Sequence, residues 1–193
     1  MAVKKKKTTT GKNIFSFWHR KEKQYRILKF LIKFNIFALP LYALLMLDWQ
    51  SGWLQGFTAD ITYNLLQATG IAAERTGNFI AIQLQNGSWG AFINWDCTGW
   101  KSFLALFALV MATDFPLRKK GKGLAILLPA LFAVNIARIV FMFHFARGFD
   151  LAYFDVVHAT IWSWGLIAAI LVFWAAWMRH SAREGYAGGF ERK

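Results

Sequence analysis

Four apolar stretches, at about 27–47, 97–115, 123–146 and 156–177, constrain what this chain can fold into more than any other feature. Each is roughly 20 residues long, enough to cross a hydrocarbon layer of about 30 Å as a helix. The surrounding composition agrees: 56% of residues are hydrophobic and 18% aromatic, too apolar for an ordinary water-soluble domain. The expected fold is therefore an all-α integral membrane protein of about four transmembrane helices. Residues 1–26 form a basic cytoplasmic tail, 27–178 a single transmembrane domain, and 179–193 a second cytoplasmic tail.

The formal charge of +13 invites a nucleic-acid reading, but the basic residues gather in three blocks beside the apolar stretches instead of covering a surface. Eleven Lys and Arg precede residue 34, four (Arg118, Lys119, Lys120, Lys122) separate the second and third stretches, and four (Arg179, Arg183, Arg192, Lys193) follow the fourth. The intervening segments 48–96 and 147–155 hold only Arg75 and Arg147 among six acidic residues. Positive charge is retained on the cytoplasmic side, so both termini are expected inside and segment 48–96 outside. No nucleic-acid partner is expected.

Within the first stretch, Lys29 and Lys33 are expected to snorkel at the inner end, and Pro40 to kink the helix. Segment 48–71 mixes Trp49, Trp53, Phe57 and Leu65 with Asp60, Asn64 and Gln67 at helical spacing, which predicts an amphipathic interfacial helix. Beyond Gly77, Ile80, Ile82 and Leu84 alternate with Ala81 and Gln83 ahead of Asn86-Gly87. Alternation beside Asn-Gly predicts a small extracytoplasmic β-hairpin that leads directly into Asp96-Cys97-Thr98-Gly99.

Cys97 is the single cysteine, which excludes an internal disulfide and a cysteine-based zinc site. No residue cluster suggests a metal and no glycine-rich phosphate motif is present, so no cofactor is expected. The topology brings three residues distant in sequence to one level. Cys97 opens the second stretch, ~27 Å from its inner end, and Arg138 lies ~22 Å up the third, with a side chain able to bridge the difference. His158 opens the fourth from the same side. An arginine inside a span is costly and implies a paired or functional role. Asn135, one turn before it, is placed to hold the guanidinium. A neighbouring cation or helix N-terminus lowers a thiol pKa. Cys97 is thus the candidate nucleophile, His158 the candidate base and acid, and Arg138 the stabiliser of a thiolate or oxyanion. Asp155 is placed to orient His158. Lys101 is expected to snorkel, and Trp89 to join an aromatic belt.

Asp96-Cys97-Thr98-Gly99-Trp100-Lys101-Ser102, then Asn135-Ile136-Ala137-Arg138-Ile139, then His158 at the head of a span, resemble the signature regions of the exosortase/archaeosortase family. The resemblance covers roughly residues 90–165. It implies a multi-pass membrane cysteine transpeptidase with Cys97, Arg138 and His158 as catalytic residues and Thr98, Gly99, Asn135 and Asp155 in support. It further implies, as partners, secreted substrate proteins that end in a short motif, a transmembrane segment and a basic cluster. The new carboxyl end passes to an acceptor, which is a membrane lipid in the archaeal branch. The chain is shorter than many members, which have additional spans. A reading from a different class is a non-catalytic membrane scaffold in which Arg138 pairs with a partner helix and Cys97→Ala is silent.

Overall fold

A computed structural model describes residues 10–84, 87–149, 154, 156, 160 and 164–190. The chain begins with α1 (Thr10–Phe37) and α2 (Leu39–Met46). They meet at Ala38, with Pro40 in the first turn of α2, where a missing N–H costs no helical bond. Next come α3 (Gly52–Ala68), β1 (Ala73–Thr76), β2 (Phe79–Leu84) and β3 (Gly87–Phe92). A single 3₁₀ turn, Trp95–Thr98, leads into α4 (Trp100–Ala112), α5 (Leu117–Gly148) and α6 (Leu166–Phe190).

Two described segments, Gln24–Met46 and Leu117–Gly148, are long and apolar enough to cross a membrane. Their outward faces carry aliphatic side chains in the open, among them Ile27, Leu31, Ile36 and Ile126. In water such exposure costs about 25 cal/mol per Å² of apolar surface, and a hydrocarbon solvent removes that cost. The stretch expected at 97–115 differs. Its helix begins only at Trp100 and has 13 residues, about 20 Å, because Cys97 and Thr98 belong to the preceding 3₁₀ turn. Helix α5 runs past both ends of the expected 123–146, and the first residues of the expected 156–177 fall mostly outside the described ones.

The bundle has two unlike ends. At one, Lys33 and Lys29 of α1 reach Asp114 in the α4–α5 turn, Lys29 at 3.8 Å. Lys120 donates to the Met111 carbonyl at 2.8 Å, and Lys119 to that of Ser181 at 3.1 Å. Lys29 and Lys33, expected to snorkel, thus find a carboxylate, while Lys119 and Lys120 of the basic link find carbonyls. At the other end, Arg147 donates to the Gly70 carbonyl (3.0 Å) and His144 meets the Thr69 hydroxyl (3.0 Å), fastening α5 to the end of α3.

That second end is capped by an antiparallel sheet in the order β1-β2-β3. The expected hairpin corresponds to β2 and β3, paired Phe79↔Phe92 through Leu84↔Gly87. Asn86 lies outside the described residues. Strand β1 is additional. It pairs Ala73↔Ile82 through Thr76↔Phe79, and its four residues include Glu74 and Arg75, too short and polar to announce a strand. The alternation in β2 does its work: Ile80 and Ile82 are fully buried against Ala59 and Leu66 of α3 and Ile139 and Phe143 of α5. Helix α3 spans the segment expected as an interfacial helix, with Thr58, Ala59, Thr62 and Leu66 buried and Trp53, Phe57 and Leu65 exposed. A second core joins Leu106 and Val110 of α4, Leu131 of α5, and Leu166 and Ile170 of α6. In it α5 and α6 approach so closely that a Cβ on Gly123 would lie 2.3 Å from the Trp177 indole nitrogen.

Candidate active site

The turn that carries Cys97 is built from local hydrogen bonds. Asn94 caps it, its side-chain oxygen accepting the Cys97 N–H at 3.1 Å. The Thr98 hydroxyl, fully buried, donates to the Trp95 carbonyl at 2.8 Å. Gly99 then reverses the chain with φ +77°, a left-handed conformation that costs an L-residue with a Cβ roughly 1–2 kcal/mol. Trp95 stacks on Trp100 with ring centroids 5.3 Å apart, fixing the turn against the start of α4.

Helix α5 completes the site. Asn135, fully buried, donates through its side-chain nitrogen to the Cys97 carbonyl at 2.8 Å. Asn135 therefore holds the backbone of Cys97, where the sequence suggested that it holds Arg138. The approach depends on Gly99, since a Cβ there would stand 3.1 Å from the Asn135 amide carbon. Gly99→Ala thus combines backbone strain with displacement of Asn135. It is expected to slow any reaction at Cys97 at least tenfold, at about 1.4 kcal/mol per tenfold, with the protein still present in the membrane. A reaction rate measured against membrane protein level checks this.

Cys97 and Arg138 line the same cavity of about 510 Å³ at the sheet-capped end of the bundle. Its walls come from β3, the turn and α5, with Trp89, Phe92, Asp96 and Phe143 among them. Trp89 packs edge-on against Phe143 (5.3 Å) and Phe154 (4.8 Å) and lines the cavity, where the sequence suggested an aromatic belt. Lys101 is ion-paired to Asp96 at 2.7 Å and lies 5.8 Å over the Trp100 ring, so it has a specific partner at the rim. His158 and Asp155 lie outside the described residues. Sequence reasoning missed Asn94 and the whole β3 wall. Asn94, three residues before Cys97, carries a signal in its cap spacing, while the β3 wall carries none short of the strand order.

Burial pushes the Cys97 thiol above its ordinary pKa, and this outweighs the downward pull of its hydrogen bond with the Asn94 backbone and of the Arg138 charge. Asp96 pushes it slightly further up. The sequence leaves the resting protonation of Cys97 open; among the described residues, burial favours the thiol over the thiolate. The Sγ lies 3.8 Å from the Phe92 carbonyl oxygen, an acceptor for that proton's hydrogen bond. Iodoacetamide labelling of Cys97 in membranes is therefore expected to keep accelerating through pH 9. A plateau reached near pH 7 would contradict it.

A mostly helical body with exposed apolar faces, carrying one cysteine and one arginine in a cavity at its capped end, is of the membrane-associated class. The family model described as transmembrane exosortase (Exosortase_EpsH) matches residues 14–176, and the chain belongs to that family. Membership carries a transmembrane location and a transpeptidase-like role, in a family that acts on secreted substrates with C-terminal sorting signals. No curated protein and no solved structure matches the chain.

Proposed function

We propose that this protein is a cysteine transpeptidase that cleaves secreted proteins beside a C-terminal sorting signal at the outer face of the cytoplasmic membrane. The observation that carries the reading is the shared cavity of Cys97 and Arg138, at the end of the bundle opposite the basic link. With positive charge retained inside, that cavity opens outward and both termini lie in the cytoplasm. In this reading the fourth apolar stretch, 156–177, completes a four-span domain, and His158 at its head is the residue assigned as base.

In the reaction the Cys97 sulfur attacks the scissile carbonyl, forming a C–S bond, while its proton passes to His158. Burial, which raises the thiol pKa, favours a mechanism in which a base takes the proton during attack. Arg138 stabilises the tetrahedral oxyanion, and Asp155 orients the imidazole. Collapse breaks the C–N bond, and His158 returns the proton to the departing amine. An amine-bearing lipid, another amine or water then attacks the thioester carbonyl and releases the thiol. The substrate's own apolar segment, held in the bilayer, keeps the reacting carbonyl close and replaces much of the ordering entropy otherwise lost in the transition state.

The test is co-expression with a secreted protein from the source genome that ends in a short motif, an apolar span and a basic cluster. Loss of its C-terminal segment only when this protein is present is the expected result. An intact substrate, or one trimmed equally without it, would reject the assignment.

A further inference from the structure

The two edges of the sheet are treated differently. Strand β1 carries Glu74 and Arg75, and Arg75 is ion-paired to Asp60 of α3, so this edge is charged and tied down. Strand β3 reads Gly-Ser-Trp-Gly-Ala-Phe, with no charge and no proline, and has no strand partner on its outer side among the described residues. An unprotected edge of this kind is a template for another strand.

Its hydrogen-bonding parity can be read directly. The Ile93 N–H donates to the Asn78 carbonyl at 2.8 Å, so Ile93 turns its peptide groups toward β2. With the register Phe79↔Phe92, Ala91 and Trp89 do the same, while Phe92, Gly90 and Ser88 turn theirs outward. The Phe92 carbonyl agrees, since it accepts from the Asn94 N–H at 3.1 Å and faces the Cys97 sulfur at 3.8 Å. Residues Trp89 to Asn94 line the cavity that holds Cys97 and Arg138. Both peptide groups of Gly90 and the N–H of Phe92 therefore face that side, and the edge ends at the nucleophile.

We infer that the cleaved segment of the substrate binds as an added fourth strand on the outer edge of β3, its backbone paired with Gly90 and Phe92, which feeds its scissile carbonyl to Cys97. The occupant is an extended polypeptide, because regularly spaced backbone donors and acceptors complement another backbone, and the cavity is continuous with the reacting thiol. Residues of the added strand alternate between the wall of Trp89 and Phe143 and the opposite side, so side-chain selection falls on every second position. This inference rests on the transpeptidase reading.

The test is cysteine cross-linking in membranes. In a Cys97→Ala background, which removes the only native thiol, Ser88→Cys and Phe92→Cys are introduced separately. Each is paired with single cysteines scanned through the substrate segment ahead of its apolar span. Opposed residues in an added strand stand about 5.5 Å apart at Cα, within disulfide reach. The expected pattern is cross-linking at alternate substrate positions, with the maximum shifted by four residues between the two variants. In parallel, the chain with Cys97 intact is assayed for processing of the same substrate. If processing occurs but cross-links are absent, or peak at one substrate position for both variants, the added strand is overturned and the transpeptidase reading stands. If processing does not occur, the transpeptidase reading fails and the inference falls with it.

Discussion

Cys97→Ala is expected to reduce substrate processing by on the order of 10⁵-fold, to the uncatalysed background, while the protein accumulates normally in the membrane. The loss is large because the covalent route disappears with the sulfur; Arg138 alone still leaves water to attack an unactivated carbonyl. Folding is spared because the turn is held by other atoms: the Asn94 cap, the Thr98 hydroxyl bond and the Asn135 bond to the Cys97 carbonyl all survive. Cys97→Ser is the control for shape, since its hydroxyl can still face the Phe92 carbonyl. Processing near the wild-type rate in the alanine variant would favour the scaffold reading, in which the cysteine has no chemical role.

Arg138→Lys is expected to lose roughly 10²–10³-fold in rate, the cost of removing one well-placed donor to an oxyanion. Arg138 is 8% exposed, and its head group reaches the cavity from α5 one turn beyond Asn135. A lysine keeps the charge but ends in a point ammonium on a differently shaped stem, so it cannot present the planar fork of donors. The measurement is the rate of appearance of trimmed substrate at matched protein levels. A rate within threefold of wild type would mean that charge alone is needed at this position. Because Arg138→Lys preserves a cation in the same helix, its membrane insertion is expected to match that of the wild type, separating chemistry from assembly.

Much of this was legible before any coordinates. The three basic blocks and the apolar stretches are one-dimensional signals, and the structure gathers Lys29, Lys33, Lys119 and Lys120 at one end as their charge pattern implies. Cys97 and Arg138 line one cavity, as expected from the charge-derived topology, although the helices that carry them there, Trp100–Ala112 and Leu117–Gly148, have other bounds than the stretches along which the rise was counted. What failed to show was decided by contacts between distant segments. Strand β1 exists because its backbone finds β2, not because Ala73-Glu74-Arg75-Thr76 prefers extension. Asn135 was assigned to the neighbour nearest in sequence, Arg138, but its amide goes across to Cys97, a choice made possible by the missing side chain at Gly99. The thiol's resting protonation is not legible in the sequence, because proximity to a cation can be read from sequence order, whereas burial cannot.

The most direct test of the account is to intercept the covalent intermediate. Substrate and enzyme are incubated in membranes with hydroxylamine, which attacks a thioester and leaves a hydroxamate, and the new substrate C-terminus is weighed by mass spectrometry. The account predicts a C-terminal hydroxamate with the wild type and none with Cys97→Ala. A hydroxamate formed equally by the alanine variant, or cleavage by the wild type that never yields one, would contradict attack by the Cys97 sulfur.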